Sequence, residues 1–113
     1  MTLQALGQMS FFEGLNTAEL ERLEPLFTAR VFSSGTTIFE QGQLADYLYL
    51  VVSGRVTVRY KPEDGPALTV THVVPGGIFG WSAALGNATY TSAAISEEDS
   101  ETLQVHGSEL RAL

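Results

Sequence analysis

Tyr47-Leu48-Tyr49-Leu50-Val51-Val52-Ser53-Gly54-Arg55-Val56-Thr57-Val58-Arg59-Tyr60 decides the fold. Its first six residues form a continuous apolar run. After the Ser53-Gly54 break the last six alternate polar and apolar, the two-residue period of a β-strand. The two segments are expected to pair as a hairpin across Ser53-Gly54.

The same signals continue outward. Downstream, Pro62-Glu63-Asp64-Gly65-Pro66 is a turn, Leu68–Val74 a strand, and Pro75-Gly76-Gly77 its stop. Tyr90–Ser96 and Thr102–Val105 are two further strands. The acidic stretch Glu97-Glu98-Asp99-Ser100-Glu101 between them is expected to be a solvated hairpin turn. Upstream, Val31-Phe32 and Thr36–Glu40 are short strands around the Ser33-Ser34-Gly35 turn, followed by Gln41-Gly42. The total is seven or eight strands, which points to a mainly β, double-sheet jelly roll with short flanking helices.

Helical signals frame this roll. Asn16 caps a helix beginning near residue 17, Glu19 completes a capping box, Leu15 and Leu20 form a hydrophobic staple, and Pro25 ends or distorts the helix. Leu20, Leu23 and Phe27 fall on one face. Leu3, Leu6 and Met9 indicate a shorter helix before it, with Phe11 and Phe12 as core anchors. At the other end Ser108 is expected to cap a helix carrying Leu110 and Leu113, and a helix of barely one turn looks like a cut in a longer parent chain. The 113 residues thus divide into a helical segment (about 1–28), a β-roll (about 29–106) and the start of a truncated C-terminal helix (107–113), all in one domain.

Composition excludes several function classes. Without Cys there are no disulfides, thiol nucleophiles or cysteinyl metal sites, which fits a cytoplasmic protein. No run approaches the roughly 18 apolar residues of a membrane span, and residues 1–10 lack the pattern of a secretion signal. With 13 acidic against six basic residues and a net charge of −7, the chain has little to offer a polyphosphate, so direct nucleic-acid contact from this domain is not expected. No GxSxG elbow is present, and Glu40 and Asp46 read as turn residues, so the chain is not expected to be an enzyme. His72 shares a strand face with Leu68, Val70 and Val74 and is expected to face the core. It lies far from His106 in sequence, and two isolated His argue against a cupin-type metal site, so no metal site is assigned.

The order of these signals resembles the cyclic-nucleotide-binding domain of bacterial catabolite activator protein, FNR-type regulators, kinase regulatory subunits and channels. The resemblance runs through Phe12-Glu13-Gly14-Leu15, Phe32 with Gly35, Ile38-Phe39-Glu40-Gln41-Gly42, Ala45–Val56, and Gly76 with Phe79-Gly80. It implies a phosphate-binding segment that begins Phe-Gly-Glu, turns through a short helix and returns at an Arg followed by a small or hydroxyl residue. There, helix amides and Arg receive the phosphate and Glu takes the ribose hydroxyl.

Here that segment is Phe79-Gly80-Trp81-Ser82-Ala83-Ala84-Leu85-Gly86-Asn87-Ala88-Thr89-Tyr90-Thr91-Ser92-Ala93. Trp81 stands in place of the Glu and Tyr90 in place of the Arg, and no Arg or Lys occurs from residue 62 to 110. A phosphodiester without its cation forgoes a charge-assisted bond worth about 1.5–3 kcal/mol, so cAMP and cGMP are disfavoured as ligands and no cofactor is assigned. The candidate pocket is Phe79, Gly80, Trp81, Ser82, Ala83, Tyr90, Thr91 and Ser92. Trp81 either fills the vacated pocket as core or lines a site for a less polar ligand, and Tyr90 either closes that site or donates a hydrogen bond into it. Trp-Ser-Ala with a later Tyr also resembles bacterial regulators of this superfamily whose effectors are often not cyclic nucleotides.

The resemblance therefore implies a ligand-sensing regulatory domain taking a small-molecule effector. A dimerising helix and a DNA-binding or other output domain would lie in a longer parent chain. The alternative is a degenerate module with a filled pocket, serving as a structural or protein-interaction domain.

Overall fold

The computed structural model describes Gly14 and residues 16–112, so the helix expected around Leu3–Phe12 and the contribution of Leu15 lie outside the described residues. The elements are α1 (Thr17–Leu23), a 3-10 turn (Glu24–Leu26), β1 (Thr28–Phe32), β2 (Thr37–Phe39), β3 (Tyr47–Ser53), β4 (Val56–Tyr60), β5 (Leu68–Val73), β6 (Ile78–Phe79), α2 (Trp81–Leu85), β7 (Ala93–Ser96), β8 (Ser100–His106) and α3 (Gly107–Arg111). Eight strands form two four-stranded sheets of order β1-β8-β3-β6 and β2-β7-β4-β5.

The capping box forms as expected. Asn16 Oδ1 accepts the Glu19 N–H at 2.8 Å and Glu19 Oε1 accepts the Asn16 N–H at 3.2 Å. Pro25 sits in the 3-10 turn where α1 gives out. Leu20, Leu23 and Phe27 pack on Leu50 and Leu103, on the outer face of the β1-β8-β3-β6 sheet. Phe32, Phe39, Tyr49, Val51, Val56, Val73, Phe79, Tyr90 and Ala94 fill the space between the sheets. Strand β3 thus contributes side chains to apolar layers on both of its faces, which is why its sequence is a continuous apolar run.

The hairpin expected between β3 and β4 does not form. Strand β3 pairs with β8 and β6, whereas β4 pairs with β7 and β5 in the other sheet. At Gly54 the chain crosses from one sheet to the other. Its φ is +89°, and its backbone lies so close to Asp99 and Ser100 that a Cβ there would meet Ser100 Cα at 2.6 Å. The Ser100 hydroxyl accepts the Arg55 N–H at 3.1 Å and lies 3.3 Å from the Arg55 carbonyl, while that carbonyl accepts the Glu97 N–H at 2.9 Å.

The acidic stretch is corrected for the same reason. It is a second crossing, from β7 to β8, laid against the first, so β3–β4 and β7–β8 form one antiparallel ribbon bent across both sheets. Its acids are partly committed. Glu97 pairs with Arg55 Nε at 3.0 Å and with His72 Nδ1 at 2.8 Å, and Asp99 Oδ1 accepts the Ser34 N–H at 2.9 Å. His72 accordingly points away from the core, towards Glu97 and the Thr57 hydroxyl at 3.3 Å.

Strand β7 begins at Ala93, not at Tyr90, because the Tyr90 backbone bonds to the loop instead: Tyr90 N–H to the Gln43 carbonyl and Gly42 N–H to the Tyr90 carbonyl, both 2.9 Å. Strand β6 had no sequence signal beyond Phe79-Gly80. The residue capping α3 is His106, without a side-chain bond, and not Ser108.

Candidate functional site

Helix α2 hangs between β6 and the loop to β7. Gly80 turns the chain into it with φ +85°, passing so close to β3 that a Cβ would lie 2.8 Å from the Tyr47 carbonyl. Only glycine meets both demands. The helix buries Ser82 and Ala83 and ends at Gly86.

Beside α2 lies a cavity of about 260 Å³. Seven of the eight residues singled out by sequence line it: Phe79, Gly80, Trp81, Ser82, Tyr90, Thr91 and Ser92. Ala83 faces α3 instead, where its carbonyl accepts a bond from the Arg111 guanidinium. The opposite wall, which sequence reasoning did not identify, comes from Val58, Val70, Thr71 and Val73. The register shift between Val58 and Arg59 leaves Val70 as an extra residue in β5, a bulge that alternation alone could not reveal.

Trp81 is 50% exposed, so its indole does not complete the core and stands at the cavity rim. Tyr90 is buried and stacks on Phe39, with centroids 3.6 Å apart and planes 8° from parallel. Its hydroxyl donates to the Tyr47 carbonyl at 2.6 Å and accepts the Tyr47 N–H at 3.0 Å. Burial pushes this phenol's pKa up, against the backbone hydrogen bond from Tyr47. The group is therefore a protonated structural link between the loop and the start of β3, its hydrogen and one lone pair both committed to the Tyr47 backbone.

Tyr90→Phe keeps the stacked ring and removes only the hydroxyl, leaving two backbone groups of Tyr47 to water. A cost of about 1–2 kcal/mol is expected, read as a fall of several degrees in melting temperature; an unchanged melting curve would contradict this role.

The cavity offers a ligand the hydroxyls of Ser82, Thr71, Thr91 and Ser92, the Trp81 indole and apolar walls. Among the described residues lining it there is no Lys or Arg. Among the described residues there is also no cluster of three metal-ligating side chains and no helix long and apolar enough to cross a membrane.

Comparison with known proteins supports this fold. A family model described as cyclic nucleotide-binding domain matches residues 29–113. The cyclic AMP receptor protein of Thermus thermophilus is 32% identical over 102 residues, covering 90% of this chain and 47% of that one. Acetyltransferase Pat of Mycolicibacterium smegmatis is 32% identical over 93 residues, covering 82% of this chain and 28% of that one. The crystal structure of Thermus thermophilus catabolite activator protein superposes with a TM-score of 0.81 at 32% identity, covering 89% of this chain and 47% of that one. This chain spans about half the length of the receptor-type relatives it matches, and a smaller share of the acetyltransferase. A family model over most of the chain and sequence identity over 90% of it converge: the chain belongs to the cyclic nucleotide-binding domain family.

Proposed function

We propose that the chain is the ligand-sensing domain of a cytoplasmic regulator of the catabolite-activator and FNR type, and that its effector is not cAMP or cGMP bound in the usual way. One observation carries this reading: the cavity beside α2 is open, yet its described lining holds no cation for a phosphate, and Tyr90, where Arg is expected, spends its hydroxyl on Tyr47. Trp81, where Glu is expected, offers no acceptor for a ribose hydroxyl. The pocket is open and not filled by its own side chains, and at about 260 Å³ it would fit only a compact effector.

The test is the melting temperature of the domain with millimolar cAMP and, separately, cGMP, against a nonbinding nucleotide. A ligand at about 100 times its Kd adds roughly 2.7 kcal/mol, which is several degrees for a domain of this size. No shift with either nucleotide is expected. A clear shift would overturn the reading and mean that backbone amides with Ser82 and Thr91 hold a cyclic phosphate unaided.

A further inference from the structure

A second cavity, of about 200 Å³, lies on the other side of the Phe39–Tyr90 stack. Those two rings line both cavities and so form the wall between them. The second cavity is bounded by Arg30 and Phe32 of β1, Gln43, Leu44 and Asp46 of the β2–β3 loop, and Tyr47 and Tyr49 of β3. Its chemistry differs from that of the first, because both signs of charge reach it.

Three polar side chains line it, and among the described residues none of them is held in an ion pair. The Arg30 guanidinium sits 5.4 Å over the Phe32 ring and reaches Gln104 Oε1 at a long 3.4 Å, without a carboxylate partner. The Asp46 carboxylate has no cationic partner. The Tyr49 ring is nearly buried, packed flat on Phe79 with centroids 4.9 Å apart, and Tyr49 lines the cavity. Burial, reinforced by Tyr90, pushes this phenol up to about 12, with Arg30 acting downwards and Asp46 upwards. Tyr49 is thus an O–H donor at neutral pH, and its hydroxyl feels both charges.

A free anion in this cavity would meet Asp46, and a free cation would meet Arg30. A molecule carrying both charges satisfies both walls. We propose that this cavity is a binding site for a small zwitterion with the head-group chemistry of a free α-amino acid, its carboxylate on Arg30 and the Tyr49 O–H and its ammonium on Asp46. The site is separate from the cavity beside α2, so it stands whether or not the proposed function does.

The probes are glycine, L-glutamine and L-phenylalanine, which share the head group and differ in bulk, with acetate and methylammonium as single-charge controls. Binding to the chain is read by ligand-observed NMR and by thermal shift at millimolar concentration. Saturable binding of at least one amino acid is expected, with neither control matching it. Arg30→Gln and Asp46→Asn lie on exposed positions that spare the core, and each is expected to weaken binding roughly tenfold or more. Tyr49→Phe, which keeps the ring packing, should weaken it severalfold. No saturable binding by any of the three amino acids, equal binding of acetate alone, or unchanged affinity in either charge variant would overturn the proposal.

Discussion

Gly54→Ala is expected to lower stability by about 3–5 kcal/mol and the melting temperature by more than about 10 °C, enough to leave much of a marginally stable domain unfolded. Two costs add. The first is backbone strain, because φ of +89° is a conformation that L side chains adopt at about 1–2 kcal/mol. The second is overlap, since the new methyl would meet Asp99 and Ser100 backbone where the β7–β8 crossing lies against the β3–β4 crossing. Neither chain can move without pulling two strands of opposite sheets out of register. Gly42→Ala separates the two costs: its φ is +90°, but nothing lies within 4 Å of the added Cβ, so only the strain of about 1–2 kcal/mol is expected. Melting curves of the two variants decide the matter. Equal losses would mean that the crossing tolerates a methyl and that the bent ribbon is not what holds the sheets together.

The same crossing marks where sequence reasoning reached its limit. Alternation in Arg55–Tyr60 and the apolar run in Tyr47–Val52 correctly placed β3 and β4, because the two-residue period is a local property of the chain. Which strand each one pairs with is not local. Ser53-Gly54 is short enough for a hairpin, and only the packing of Ser100 and Asp99 against it, 45 residues away for the Arg55–Ser100 bond, turns the chain into the second sheet. His72 failed likewise: its neighbours Leu68 and Val70 are apolar but exposed, and the bulge at Val70 breaks the alternation on which a core-facing imidazole depends. The lining of the cavity beside α2 was more legible. The segment from Phe79-Gly80 to Ser92 is contiguous in sequence and lines one cavity, whereas the Val58, Val70, Thr71 and Val73 wall carries no motif and is brought in by sheet pairing. The commitment of Tyr90 to Tyr47 across 43 residues could not be read from either side.

Gly107→Ala tests whether the site is connected to the segment that follows it. Helix α3 approaches α2 so closely at Gly107 that an added Cβ would overlap the Ala83 carbonyl and lie 3.1 Å from the Ala83 Cβ. The same carbonyl takes the Arg111 guanidinium, and Gly107 N–H bonds the Asp46 carbonyl at 2.9 Å. Ala83 is completely buried and immediately follows Ser82, which lines the cavity. A ligand that shifts α2 by a fraction of an ångström must therefore move the surface on which α3 rests, because close-packed contacts transmit displacement. With the methyl in place α3 has to tilt away, losing the Arg111 bond. A five-residue helix has no stability of its own, so its amides should lose protection. The expected cost is about 2–4 kcal/mol, with hydrogen exchange at the Arg111 and Ala112 amides accelerated while the amides of β3 and β8 remain slow. Ser108→Ala, on the exposed side, should change neither. Retained protection at Arg111 and Ala112 in the Gly107→Ala variant would show that α3 is not held through Ala83, and the site would then lack this route to whatever follows it.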